Sequence, residues 1–185
     1  MSGRLSLIVG AALVLGAAWS GGRELSRGVS SWSALGPLPP GLQAPRFRLF
    51  ALDGGTVTGE DLQGSVTVMT FWATWCGACR GELADLDELD DEYADRDDVK
   101  FFAVNHEGGG LSRRQAQSVV RNYRVASGLK LPVVLDDGSA AQAFRVRPIP
   151  HTVVFDREGM IRHVHVGRIS LATIRTEIDR LLADG

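Results

Sequence analysis

Val66-Thr-Val-Met-Thr-Phe-Trp72 runs straight into Ala73-Thr-Trp-Cys-Gly-Ala-Cys79. The first seven residues are β-branched, aromatic or otherwise suited to a pleated interior, which predicts a buried strand. A helix is expected from about Cys76 to Ala94, because Leu83, Leu86, Leu89 and Tyr93 recur at helical spacing on one stripe. Its other face carries Asp85, Asp87, Glu88, Asp90, Asp91 and Glu92, which read as a solvated acidic face. Val99 to Val104 predicts a second buried strand. Strand, helix and strand at this spacing make a βαβ unit with parallel strands.

Outward from that unit the alternation continues. Phe47 to Leu52 predicts a short strand closed by Asp53-Gly54-Gly55. A helix is expected over Leu111 to Ala126, with Ala116, Val119, Val120 and Tyr123 on its apolar face. Leu131 to Leu135 reads as a short strand, and Gly138 to Phe144 as a helical turn. His151 to Phe155 and Ile161 to Val166 flank Asp156-Arg-Glu-Gly159 as a β-hairpin. Leu171, Ile174, Ile178, Leu181 and Leu182 form a closing amphipathic helix. The expected class is α/β, a mixed central sheet with helices on both faces.

Composition bounds the function. Of 185 residues, 44% are apolar and 23% charged, a globular balance that excludes full disorder. Twenty basic against 22 acidic side chains give a net charge of −2, which argues against a nucleic-acid partner. With only Cys76 and Cys79, neither a multi-disulfide scaffold nor a four-cysteine zinc site fits within one chain. At the amino terminus Arg4 precedes the apolar run Leu5 to Trp19, so residues 1–20 read as an export signal or a membrane anchor. Anchoring would place the remainder outside the membrane, and cleavage before Gly21 would release it as a soluble protein. Residues 21–44, rich in Pro, Gly and Ser, read as a linker, and 45–185 as the folded domain.

The chemistry is expected at Cys76 and Cys79. Two cysteines three apart on the first turn of a helix can bring their sulfurs to bonding distance. The first faces the free N–H groups of the helix start, which together with the helix dipole favour a thiolate. The second lies one turn further in and suits a shielded resolving thiol. The competing readings are a metal-binding or metallochaperone module using Cys76, Cys79 and His151, an inert structural disulfide, and two unrelated core thiols. A βαβ context favours redox chemistry over all three.

Phe71-Trp-Ala-Thr-Trp-Cys-Gly-Ala-Cys-Arg-Gly-Glu82 resembles the active-site signature of the thioredoxin superfamily, and more narrowly that of the TlpA/ResA-type thiol–disulfide oxidoreductases of the bacterial envelope. The resemblance extends over Ala44-Pro45-Arg-Phe, Leu62-Gln63-Gly64, Leu131-Pro-Val-Val-Leu-Asp136 and Val146-Arg-Pro-Ile-Pro-His-Thr-Val-Val-Phe-Asp156. It implies a thioredoxin-like fold with an N-terminal hairpin and a central αβ insertion, and it implies no cofactor beyond the dithiol. It also implies protein thiol or disulfide substrates, recharging by a membrane electron donor, and a place in cytochrome c or copper-site maturation. Pro150 matches the family's cis-proline. The resemblance then sets the Ile149 backbone against an incoming peptide, like an added strand. Trp72 and Trp75 would wall the site.

Four positions depart from the family pattern: Ala78 and Ala84 where prolines are common, Thr70 where thioredoxin itself carries a buried aspartate, and His151 where threonine commonly follows the cis-proline. His151, cationic beside Cys76, would favour the thiolate. His163 and His165 share a strand face, and His106 opens the unusual loop His106-Glu107-Gly-Gly-Gly110, a candidate border of the site to which no role is assigned. Glu82 falls in line with Leu86, Leu89 and Tyr93, so it is expected to be at least partly buried. There a carboxyl can pass a proton to or from the shielded thiol. Similar envelope oxidoreductases carry a glutamate at this place; an ordinary first-turn acid is the competing account.

Overall fold

The computed structural model describes residues 36–108 and 110–184. The apolar run of residues 1–20 and most of the expected linker lie outside the described residues. In chain order the elements are β1 (Arg48–Ala51), β2 (Thr56–Thr58), a 3-10 turn (Gly59–Leu62), β3 (Val66–Trp72), α1 (Gly77–Glu92), β4 (Val99–Asn105), α2 (Arg113–Ser127), β5 (Val133–Leu135), α3 (Ser139–Ala143), β6 (His151–Phe155), β7 (Ile161–Val166) and α4 (Leu171–Ala183). They build one seven-stranded sheet in the order β2-β1-β5-β4-β3-β6-β7.

β3 lies between β4, to which it is parallel, and β6, to which it is antiparallel. All seven of its residues are buried, as a strand covered on both faces requires. Alternation along β3 divides the core. Val66, Val68 and Trp72 face Leu83, Leu86 and Leu89 of α1, Val120 of α2, and Ile174 and Ile178 of α4. Met69 and Phe71 face the other way, toward Phe144 after α3, Val153 and Phe155. Helices thus cover both faces, and β1 and β2 form the N-terminal hairpin.

Two local expectations need correcting. The acidic face of α1 is solvated as expected, and it is also tied down in several places. Asp87 accepts the backbone N–H groups of Lys130 and Leu131, Asp91 pairs with Lys130, and Glu92 with Arg175. Val119 is 39% exposed and leaves Val120 as the buried valine of α2. Finally, Leu38 is buried, and Gly41, Leu42 and Ala44 exchange backbone bonds with Gly159 and Ile161. Residues 38–44, read as linker, pack on the β6–β7 turn because Leu38 and the Gln43–Met160 bridge give them something to hold.

Candidate active site

β3 delivers the chain to the site. Beyond Trp72 the parallel ladder continues for one bond, from His106 N–H to the Trp72 carbonyl at 2.8 Å, and then the strands part. The chain turns through Ala73, Thr74 and Trp75 and enters α1 with Cys76 as its N-cap. Cys76 and Cys79 are joined in a disulfide, with the Cα atoms 5.4 Å apart. The Cys79 N–H points at Cys76 Sγ from 3.2 Å. That donor and the other free N–H groups of the helix start would remain beside a Cys76 thiolate after reduction and stabilise it. The two residues differ in exposure: Cys76 is 6% exposed and Cys79 1%.

Facing Cys76 is the loop before β6. The Ile149–Pro150 peptide is cis, and the Ile149 carbonyl lies 3.9 Å from Cys76 Sγ. Pro150 is buried and its carbonyl is taken by the Gly167 N–H, whereas Ile149 is half-buried beside the disulfide. Trp75 is 66% exposed at the mouth. Trp72, expected beside it, is fully buried and packs on Tyr123 with ring centroids 4.9 Å apart, so it supports the site from below and does not wall it.

Glu82 is fully buried. Its Oε1 accepts from Thr70 Oγ1 at 2.9 Å and from Thr152 Oγ1 at 2.5 Å, and its Oε2 accepts the Ile169 N–H at 3.1 Å. Thr70 and Thr152 are register partners on β3 and β6, which is why their hydroxyls meet over one carboxyl.

His151 behaves differently from expectation. It is 1% exposed, lies edge-on to Phe71, and neither ring nitrogen has a partner. Burial pushes its pKa down to about 4, with His165 adding to the effect, so the ring is neutral near pH 7. It can neither favour the thiolate as a cation nor meet a docked peptide, because β6 turns it into the sheet's other face. The metal reading also loses its third ligand, and among the described residues no three His, Cys, Asp or Glu side chains gather as metal ligands. His163 and His165 share the Glu177 carboxylate of α4, one on each oxygen.

Sequence reasoning assigned no role to Glu107, which the fold brings against the active-site loop. Its carboxylate accepts the Thr74 N–H and hydroxyl at 2.8 and 3.0 Å, and its carbonyl accepts Trp75 Nε1 at 3.0 Å. The one available signal was position: an acid just past the carboxyl end of a strand parallel to β3, where open α/β sheets place their sites.

Residues 40–164 match the AhpC/TSA family. The thioredoxin-like protein YneN of Bacillus subtilis is 31% identical over 139 residues, 75% of this chain and 78% of that one. The thiol-disulfide oxidoreductase ResA of Halalkalibacterium halodurans is 30% identical over 128 residues, 69% of this chain and 68% of its own. Among solved structures, the exposed lipoprotein thioredoxin Etrx1 of Streptococcus pneumoniae aligns with a TM-score of 0.62 at 28% identity, covering 73% of this chain and 98% of that one.

Proposed function

We propose that this chain, which belongs to the AhpC/TSA family and is a thiol–disulfide oxidoreductase of thioredoxin fold, works outside the cytoplasmic membrane as a reductant of protein disulfides. The observation that carries the catalytic reading is the unequal exposure of two disulfide-bonded cysteines on one helical turn. The Cys76 thiolate attacks one sulfur of a substrate disulfide and the other leaves as a thiolate. Cys79, once deprotonated, attacks Cys76 Sγ and expels the second substrate sulfur, which closes the Cys76–Cys79 disulfide. Two electrons from a membrane donor then reopen it.

Glu82 is the proton carrier for Cys79. Glu82 Oε1, Thr70 Oγ1 and Thr152 Oγ1 lie within 2.5–2.9 Å of one another, three contacts served by only two hydroxyl protons. A third proton on the carboxyl completes the ring, so the cluster has a place for the one that Cys79 gives up. Trp75, Ile149 and Pro150 shape the groove in which an extended peptide docks.

The envelope location is supported by the Arg4-led apolar run and by the likeness to a lipoprotein described as exposed. Among the described residues no helix is long and apolar enough to cross a membrane, so an anchor would be the segment 1–20. The substrates on this reading are cysteine pairs awaiting haem or copper.

Cys76→Ser should abolish exchange, while Cys79→Ser should accumulate mixed disulfides with substrate. Faster alkylation of Cys79 than of Cys76 in the reduced protein would reverse the two roles. A reporter fused after Gly185 should work outside the cytoplasmic membrane; activity in the cytosol alone contradicts the location. A reduction potential above about −180 mV would make the chain a net oxidant.

A further inference from the structure

Glu107 sits 33 residues from Thr74 in sequence yet makes a brace for the loop before Cys76. Its Oε1 accepts both the Thr74 N–H and Asn105 Nδ2 at 2.8 Å, its Oε2 accepts the Thr74 hydroxyl, and its backbone carbonyl holds the Trp75 indole. The carboxyl group's three bonds are all acceptances, the pattern an ionised carboxylate makes. Among the described residues no cation forms an ion pair with it; neighbouring His106 turns its Nδ1 to Asp136 instead. The first turn of α1 carries no acid of its own. The carboxylate bonded to Thr74 is therefore a negative charge brought from outside to a helix start that favours negative charge on sulfur.

We propose that Glu107 is a positioning residue that restrains the reactivity of Cys76 and holds Trp75 as a fixed docking surface. A carboxylate bonded to the Thr74 N–H, two residues before Cys76, sets a negative charge at the helix start and opposes a second one on sulfur, so the Cys76 thiol keeps its proton to higher pH than the helix start alone would allow. The reduced pair is then less stabilised relative to the disulfide, which biases the protein toward giving electrons. The indole, two-thirds exposed and anchored at its nitrogen, offers a substrate an apolar surface already ordered before binding. The inference rests on the dithiol chemistry and not on the cellular location or the partner proposed above.

The full chain with Glu107→Gln and with Glu107→Ala tests it. Insulin serves as probe disulfide and glutathione as redox reference. The amide oxygen of the Gln variant can still accept the Thr74 N–H, so the loop stays braced while the charge goes. Its Cys76 alkylation profile should move to lower pH, and its equilibrium with glutathione should shift about tenfold toward the reduced protein, about 30 mV. KM for insulin should remain within twofold. The Ala variant should show the same equilibrium shift and a KM raised fivefold or more. If it does not fold, Trp75→Ala carries the KM arm. An unchanged alkylation profile and glutathione equilibrium in Glu107→Gln overturns the charge role. An unchanged KM in the Ala variant, or in its substitute, overturns the docking role.

Discussion

Consecutive residues of β6 meet opposite sides of the sheet and opposite fates. Thr152 joins Thr70 and the Ile169 N–H around Glu82, where both carboxylate oxygens have donors. His151, one residue earlier and as deeply buried, enters the apolar side beside Phe71 with both ring nitrogens unpartnered. A satisfied buried network in low dielectric holds a charge or a proton in a fixed place, whereas an unsatisfied polar group survives by staying neutral. The pair shows that burial alone does not make a residue catalytic. The partners waiting at the buried position decide.

The sharpest way to break this contrast is to remove the acceptor from the satisfied side. Glu82→Ala strands the Ile169 N–H and one threonine hydroxyl, since Thr152 Oγ1 can still donate to Thr70 Oγ1; at about 1–3 kcal/mol for each stranded group, urea unfolding should register a loss of roughly 3 kcal/mol. Glu82→Gln should keep the fold and slow the resolving step, with a changed pH profile. A resolving rate that is unaltered from pH 5 to 9 would reduce Glu82 to a structural acceptor.

On the unsatisfied side the effect is conditional on acid. With a folded pKa of about 4 against an ordinary 6.5, His151 is unprotonated in both states well above pH 6.5, so its titration takes nothing from stability there and only the desolvation of its two unpartnered nitrogens remains. As pH falls from 6.5 toward 4 the unfolded imidazole takes a proton that the folded one refuses, and stability should drop by roughly 3 kcal/mol at pH 4. His151→Phe should flatten that limb and be neutral or stabilising at pH 7, as replacing orphaned buried nitrogens by carbon allows. A wild-type acid limb that persists in the variant would point to another group.

His106 sharpens the comparison with the opposite sign and the smallest size. Its bond to Asp136 raises its pKa, so the stability it adds is complete below its ordinary pKa and fades as pH rises through the raised one. The ring is one-third exposed, so the change should stay below about 1 kcal/mol. A double-mutant cycle with Asp136→Asn at pH 5.5 and 8.5 measures it.

Much of this could be read from the sequence where the signal is local. The β3 run, the α1 stripe and the β6–β7 hairpin rest on short-range periodicity and turn chemistry. The cysteine pair carries its own spacing. Glu82 was legible because helical periodicity puts it in line with three residues of an apolar stripe. His151 was not, because a strand buried on both faces shows no alternation to tell which side a residue takes. Glu107 and residues 38–44 depend on contacts across more than thirty residues of chain, for which composition and spacing carry no sign. The Gly-rich setting of Glu107 suggested a loop and concealed an anchor.

Where the chain enters the domain has a mechanical consequence. Residues 41–44 grip the turn at one end of β6, and the Ile149–Pro150 peptide beside the cysteines lies at the other. Five strand residues, about 17 Å, separate them. A pull on the chain at residue 41 would therefore load the rim of the sheet away from the cysteines.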